Sequence, residues 1–261
     1  MRSRHLSFIA ITTALSLSLL ESVVQAQEAD PQPDQNHVLV GLGAGYVPAY
    51  EGAKRYRTLA LPAIDVTWGP FFANLSNGIG INILNTEHVT VGTSVTFMQG
   101  YRRKDAPVGI GSLSNGAGAR AFASLNTGGF VTTLGATKAV GSGTRGTLAD
   151  ATLSYPYAVS PRLTLIPSIS TTWANSKYNN RYFGVNAQQS LNSGLPQFAP
   201  GGGLKDASAT LTASYQLTDH LVLGGAIGAT TLFKKVKDSP IVAHRNAQPG
   251  GFVYIAYRLE P

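Results

Sequence analysis

The sequence has 261 residues, of which only 13% are charged, and 20 Lys and Arg against 13 Asp and Glu give a net charge of +7. It contains no cysteine, which excludes disulfide bonds, redox chemistry at thiols and thiolate metal sites. A basic surface attracts anionic lipid, lipopolysaccharide phosphate or nucleic acid. Because the N-terminus predicts export, we expect no nucleic-acid partner.

The N-terminus has the pattern of a secretory signal peptide. Arg2 and Arg4 precede an apolar run over residues 8–20, and small residues at Val24 and Ala26 precede the expected cleavage point. The apolar run is shorter than the ~20 residues that a membrane-spanning helix needs. We predict a cleaved signal peptide over residues 1–26, a flexible polar leader over 27–36 and a single domain over 37–261.

From residue 37 onward, apolar residues recur at every second position, which is typical of strands. The clearest case runs from 207 to 217, where Ser and Thr alternate with apolar residues. Most segments are longer than the ~5 or 6 residues of soluble strands, and they match the ~9 to 11 that a transmembrane strand needs. The sequence gives twelve such segments: 37–46, 57–67, 71–75, 79–84, 89–99, 116–126, 129–140, 147–158, 162–174, 207–217, 220–233 and 250–259.

The connections alternate in length, as in outer-membrane barrels with long external loops and short periplasmic turns. The long ones are 47–56, 100–115, 175–206 and 234–249, and 141–146 is a short loop on the same side. A break at Asn77-Gly78, a favoured turn pair, keeps this alternation regular. We therefore predict an all-β antiparallel transmembrane barrel of twelve strands, with ten as the fallback, in the outer membrane. A soluble periplasmic protein is the alternative, and no helical periodicity appears after residue 26.

Candidate catalytic groups are few. The histidines His37, His88 and His220 fall at predicted periplasmic strand ends, and His244 falls in an external loop. In the predicted mature chain no serine lies two or three residues from a histidine, and no strand carries two closely spaced inward acids. The glycine-rich segment 141–146 precedes a strand, whereas a nucleotide-binding loop precedes a helix. We expect no enzyme activity, catalytic residue, cofactor or metal.

Two surface features fit a bilayer. Aromatic residues near strand ends fit the headgroup level: Tyr46, Trp68, Phe71, Phe97, Tyr155, Tyr157, Trp173, Phe233, Tyr254 and Tyr257. Cations near the outer strand ends are expected to lie in solvent beside lipopolysaccharide phosphates: Lys54, Arg55, Arg57, Arg102, Arg103, Lys104, Lys205, Lys234, Lys235 and Lys237.

Four loop motifs carry a family resemblance. They are Tyr46-Val47-Pro48-Ala49-Tyr50-Glu51-Gly52, Tyr182-Phe183-Gly184-Val185, Ser193-Gly194-Leu195-Pro196 and Asp238-Ser239-Pro240-Ile241-Val242. In this order they resemble the signatures of the MipA/OmpV family of outer-membrane proteins, over residue 37 to the end. Members commonly finish in an aromatic residue, so here we expect Tyr257 and Leu259 to take that role or assembly to be less efficient.

The resemblance implies a barrel that in some members is a scaffold joining a murein lytic transglycosylase to a murein synthase. It implies no catalytic residue, and we retain its loop residues as candidate site residues: Tyr46, Pro48, Tyr50, Glu51, Gly52, Tyr182, Phe183, Gly184, Val185, Gly194, Leu195, Pro196, Asp238, Ser239 and Pro240. A narrow channel for small solutes is the alternative, because inward Gly, Ser and Thr are expected to leave room in the barrel. The oligomeric state stays open.

Overall fold

The computed structural model describes residues 36–141, 143–242 and 247–259. The predicted signal peptide, residues 27–35 of the predicted leader and His244 lie outside these ranges. The strands are β1 His37–Pro48, β2 Tyr56–Trp68, β3 Phe71–Asn74, β4 Gly78–Asn85, β5 Val89–Met98, β6 Gly116–Thr127, β7 Phe130–Val140, β8 Thr147–Ser154, β9 Tyr157–Ser160, β10 Leu163–Ala174, β11 Gly203–Gln216, β12 Leu221–Leu232 and β13 Gln248–Leu259.

The strands form one closed antiparallel barrel. Each strand except β8 pairs with the next along the chain, and β13 pairs with β1 from Val38↔Leu259 to Tyr46↔Gly251. Segments β8 and β9 both pair with β10 and are two halves of one strand, interrupted at Tyr155-Pro156. Over the described ranges this gives the predicted twelve strands. Closure leaves the sheet without a free lateral edge at the first and last strands.

The two faces of the barrel differ as the alternation predicts. In β11, Leu211 and Tyr215 point outward and are exposed, while Thr212 and Ser214 point inward and are buried. Nine of the ten aromatic residues singled out above are exposed on the outside, at 37% or more of their surface. The exception is Tyr254, which is 3% exposed and points into the barrel, because Gly224 directly opposite leaves space for its ring.

The connections alternate in length as predicted, with one correction at the longest loop. Strand β11 begins at Gly203, so this loop ends at 202 and Lys205 lies in a strand. The short turns are at 69–70, 86–88, 128–129, 161–162 and 217–220, and the long loops are 49–55, 99–115, 175–202 and 233–247. The long-loop end is the external end of such a barrel.

Although the sequence shows no helical periodicity after residue 26, the external loops contain three short helices: α1 Ser176–Phe183, α2 Ala187–Ser193 and α3 Lys234–Lys237. The Asn175 side chain caps α1 by accepting a hydrogen bond from the backbone N–H of Tyr178, and Asn186 with Gln189 forms a capping box at α2. Each helix is too short to show a clear helical period in the sequence. Within the described residues, no helix has the length and apolar character to cross a membrane.

Candidate functional site

The four long loops pack on one another and close the external end of the barrel. We call this assembly the external cap and define it by residues 49–55, 99–115, 175–202 and 233–242. Apolar side chains from all four loops share one buried cluster, which includes Tyr50, Tyr101, Tyr182, Phe183, Val236 and Ile241. The loops therefore form a small hydrophobic core of their own above the barrel.

Hydrogen bonds between distant loops fix the cap. The Tyr50 hydroxyl donates to the carbonyl of Ile241 at 2.6 Å, and the Ser239 hydroxyl donates to the carbonyl of Phe183 at 2.6 Å. The backbone N–H of Gly52 donates to the Gln248 side chain at 2.7 Å. Gly52 has a φ of 90°, and a Cβ there would lie 2.6 Å from Val242 Cγ2, so this tight contact requires glycine.

Four tyrosines form a chain of ring contacts through the cap. Ring centroids are 5.4 Å apart for Tyr50 and Tyr101, 5.6 Å for Tyr101 and Tyr182, and 5.7 Å for Tyr182 and Tyr178. Burial raises the pKa of Tyr50 to about 12, with Tyr101 and Asp105 adding to the effect. Burial also raises the pKa of Tyr101 and of Tyr182. The cap therefore favours the neutral phenol form of Tyr50, Tyr101 and Tyr182.

A buried ion cluster joins the cap to the barrel. Lys205 Nζ lies 2.6 Å from Glu51 Oε2 and also contacts Asp206 Oδ2. Lys205 is 1% exposed and Asp206 is fully buried, so the prediction of a solvated loop cation at 205 is wrong. Two buried acids need a cation between them, because an unpaired buried charge is costly. Burial raises the pKa of the Glu51 carboxyl, and the adjacent Lys205 opposes that shift.

The structure brings most of the family-motif residues together in or beside the cap. Pro48, Tyr50, Glu51, Gly52, Tyr182, Phe183, Gly184, Val185 and Ser239 are buried there. Leu195 is half-buried and packs on the cap cluster, and Pro240 is also half-buried. The others lie outside: Tyr46 is on the outer wall stacked on Tyr56, Gly194 ends α2 with a positive φ, and Pro196 and Asp238 are exposed.

Below the cap, the barrel interior is filled by a polar and apolar core that the sequence did not reveal. The Arg120 guanidinium donates two hydrogen bonds to the Asp150 carboxylate, at 2.6 and 2.8 Å, and others to Asn77 and Thr137. Gly135 leaves room for it, since a Cβ there would lie 2.3 Å from Arg120 Nη2. Arg120 lies on β6 and Asp150 on β8, on either side of β7, and the inward position of both residues was the available signal.

Large side chains in the barrel occupy the space left by glycines on adjacent strands. Gly92 faces Phe122 and Gly224 faces Tyr254, and in each case a Cβ would lie 2.5 Å or less from the ring. Inward residues on every strand from β5 to β8 and from β10 to β13 are buried, including Ser94, Thr133, Thr212 and Thr230. Along these strands, the room that inward Gly, Ser and Thr were expected to leave is therefore occupied by larger inward side chains.

The predicted periplasmic end carries the histidines. His37 Nε2 lies 3.4 Å from Asp65 Oδ1, and His220 stacks on Tyr257 with centroids 5.5 Å apart. His88 is in the exposed turn between β4 and β5. Among the residues that the structure describes, no group of three or more His, Asp or Glu has the proximity to hold a metal ion. The glycine-rich segment 141–146 leads into strand β8, as expected.

The solved structures to which this chain is similar are outer-membrane barrels. The chain is similar to the NanC porin at 10% identity, with a TM-score of 0.45 over 85% of this chain and all of that one. It is also similar to the outer-membrane channel DcaP of Acinetobacter baumannii at 10% identity, with a TM-score of 0.39 over 86% of this chain and 96% of that one.

Curated relatives match over shorter stretches. A 24 kDa outer membrane protein of Pasteurella multocida (strain Pm70) is 29% identical over 100 residues, or 38% of this chain and 39% of that protein. The putative outer membrane protein YiaT of Escherichia coli (strain K12) is 29% identical over 84 residues, or 31% and 32%. The matches thus span less than two fifths of these relatives' length. The protein is an outer-membrane β-barrel.

The chain also matches a protein family over most of its length. The family described as MltA-interacting protein MipA matches residues 40–259, which is nearly the whole barrel. That range includes all four loop motifs and the strands that carry the filled interior. The chain belongs to the MipA family.

Proposed function

We propose that this protein is a non-enzymatic scaffold of the outer membrane, which holds murein-processing enzymes on its periplasmic face and passes no solute. The observation that carries the proposal is the filled barrel interior beneath a packed cap. Inward side chains such as Thr133, Asp150 and Thr212 have almost no surface accessible to water. A barrel whose interior is filled in this way is suited to binding other proteins at its ends.

A narrow solute channel, the alternative from the sequence, would need two rearrangements. The cap would have to open against its interloop hydrogen bonds and its buried Lys205–Glu51 pair. The Arg120–Asp150 pair would then have to break and move aside, giving up two charge-assisted hydrogen bonds of 2.6 and 2.8 Å. Both costs favour the scaffold over the channel.

The link to murein comes from the family, whose description names an interaction with MltA. A partner in the periplasm would meet the short turns at the end opposite the cap. These turns present exposed charged and polar side chains, among them Glu87, His88, Arg162 and Asp219. We therefore propose a murein lytic transglycosylase and a murein synthase as partners that bind this face.

A binding experiment tests the proposal. The detergent-purified barrel is immobilised and exposed to a purified murein lytic transglycosylase and murein synthase, and we expect both to be retained. A triple variant in the periplasmic turns, Glu87→Ala, Arg162→Ala and Asp219→Ala, is expected to lose most of this retention. A matched triple variant at the external end, Arg55→Ala, Lys104→Ala and Lys235→Ala, should bind as the parent does. Failure of the parent barrel to retain either enzyme contradicts the scaffold role.

A further inference from the structure

The barrel wall has a notch in its outer half. Hairpin β3–β4 is short: β3 pairs only with residues 65–68 of β2, and β4 pairs with β5 only as far as Val95. Residues 56–64 of β2 pair with β1 on one side but have no β3 partner on the other. We call the space between this stretch of β2 and the outer end of β5 the wall notch.

The wall notch contains a cavity of about 840 Å³, within the ~300 to 1,000 Å³ typical of ligand sites. Its lower part is apolar, with Leu59, Leu61, Pro62, Leu75 and Phe97. Leu59 and Leu61 pack against an inner apolar cluster, whereas Pro62 and Phe97 are exposed on the outside. The cavity therefore wraps around the open edge of β2 and connects the outer wall with the barrel interior.

The upper part of the wall notch is cationic. Arg57, Arg102 and Arg103 line it, and Asp105 offsets one charge by pairing with Arg102 at 2.6 Å. Thr58 pairs with Tyr46, an aromatic residue exposed on the outer wall, so Arg57 lies near the expected headgroup level. Leu59 and Leu61 follow on the membrane side of this level. The site thus places positive charge above an apolar slot that opens to the membrane.

We propose that the wall notch binds one acyl chain of a phosphorylated glycolipid of the outer leaflet, of the lipid A class, with its phosphate at Arg57 and Arg103. Arginine is well suited to phosphate because its guanidinium donates paired hydrogen bonds. The sugar hydroxyl and amide oxygens of such a lipid lie beside its phosphate, where the same guanidinium groups can donate hydrogen bonds to them. This site is independent of the proposed scaffold role, which uses the other end of the barrel.

Native mass spectrometry of the detergent-purified barrel tests the proposal with three probes: lipid A, phosphatidylglycerol and inorganic phosphate. We expect one lipid A to be retained. The Arg57→Gln, Arg103→Gln double variant should bind it at least about tenfold more weakly, since a contact to a charged group is worth ~1.5 to 3 kcal/mol. Leu59→Trp fills the slot and should abolish retention. Leu134→Trp, on the exposed outer face of β7, is the matched control and should bind normally.

The change in gel mobility on boiling verifies that each variant is a folded barrel. Equal retention of lipid A by the parent and by folded Leu59→Trp overturns the proposal. Equal retention of phosphatidylglycerol overturns the assignment to a glycolipid, and retention of inorganic phosphate at the same strength overturns the seating of an acyl chain. Normal binding by the double arginine variant overturns the assigned phosphate contacts.

Discussion

Charged and aromatic residues that are far apart in the chain meet in the cap. Glu51 and Lys205 are separated by 154 positions, and their pairing depends on barrel closure and on the order of the loops. The sequence patterns identified Glu51 as a motif residue and Lys205 as a loop cation, but they did not predict that the two residues pair. Tyr254 was misassigned for a related reason: β13 is apolar on both faces, so alternation alone does not say which face points inward.

Removing the buried cation should weaken the cap strongly. We expect Lys205→Met to cost about 3 to 5 kcal/mol, because Glu51 and Asp206 then stay buried without a partner. Urea unfolding in detergent, followed by gel mobility and protease sensitivity of the external loops, measures the loss. Lys54→Met, at an exposed cap lysine, is the matched control. Identical unfolding midpoints for the two variants would refute the importance of the ion cluster.

The cap should loosen at alkaline pH. The pKa of Tyr50 is about 12 in the folded protein, above the ordinary value of 10.0. The contribution of Tyr50 to stability is therefore complete below pH 10 and is lost as the pH rises through 12. Ultraviolet absorbance of the phenolate should show a late ionisation step near pH 12 that Tyr50→Phe removes. Complete tyrosine ionisation in the parent barrel by pH 11 would be inconsistent with the buried phenol.

At the scale of elements, strand positions were predictable and loop structure was not. Alternation and turn residues located every strand to within a few positions, since each strand has one outward apolar face over most of its length. Helices α1 and α2 were missed because each is only two turns long, although the caps at Asn175 and Asn186 are visible as sequence signals. The interruption of the 147–158 segment coincides with Pro156, which lacks a backbone N–H donor.

Barrel closure at the β1–β13 seam should depend on Gly41. A Cβ at this position would lie 2.1 Å from the carbonyl oxygen of Ile255 and 2.5 Å from the Cα of Ala256. Because these are backbone atoms, Gly41→Ala must push the two strands apart, at a cost of ~1 to 3 kcal/mol or more. We expect a lower yield of the heat-modifiable barrel on refolding. Ala44→Val, on the exposed face of the same strand, serves as the control, and an equal yield from both would contradict the close approach.

For the whole molecule, the number of strands and the alternation of short turns with long loops could be predicted from the sequence. The two features constrain each other, because an odd number of strands would move the short turns to the other end of the barrel halfway round. The filled interior did not follow. It arises where a glycine on one strand faces a large side chain on the next, as in the pairs Gly92↔Phe122 and Gly224↔Tyr254. Such pairs depend on the register between strands, whereas a count of small inward residues indicates only that there is room inside the barrel.

Conductance in planar lipid bilayers tests the closed barrel most directly. The purified, heat-modifiable protein is added to both sides of a bilayer in concentrated salt, with a porin as positive control for insertion. The inner core of Arg120, Asp150 and their neighbours lies below the cap. We therefore expect no steady conductance from the parent protein, nor from the Lys205→Met variant with its weakened cap. Reproducible, ion-selective steps from the parent protein would contradict a lumen filled by its own side chains.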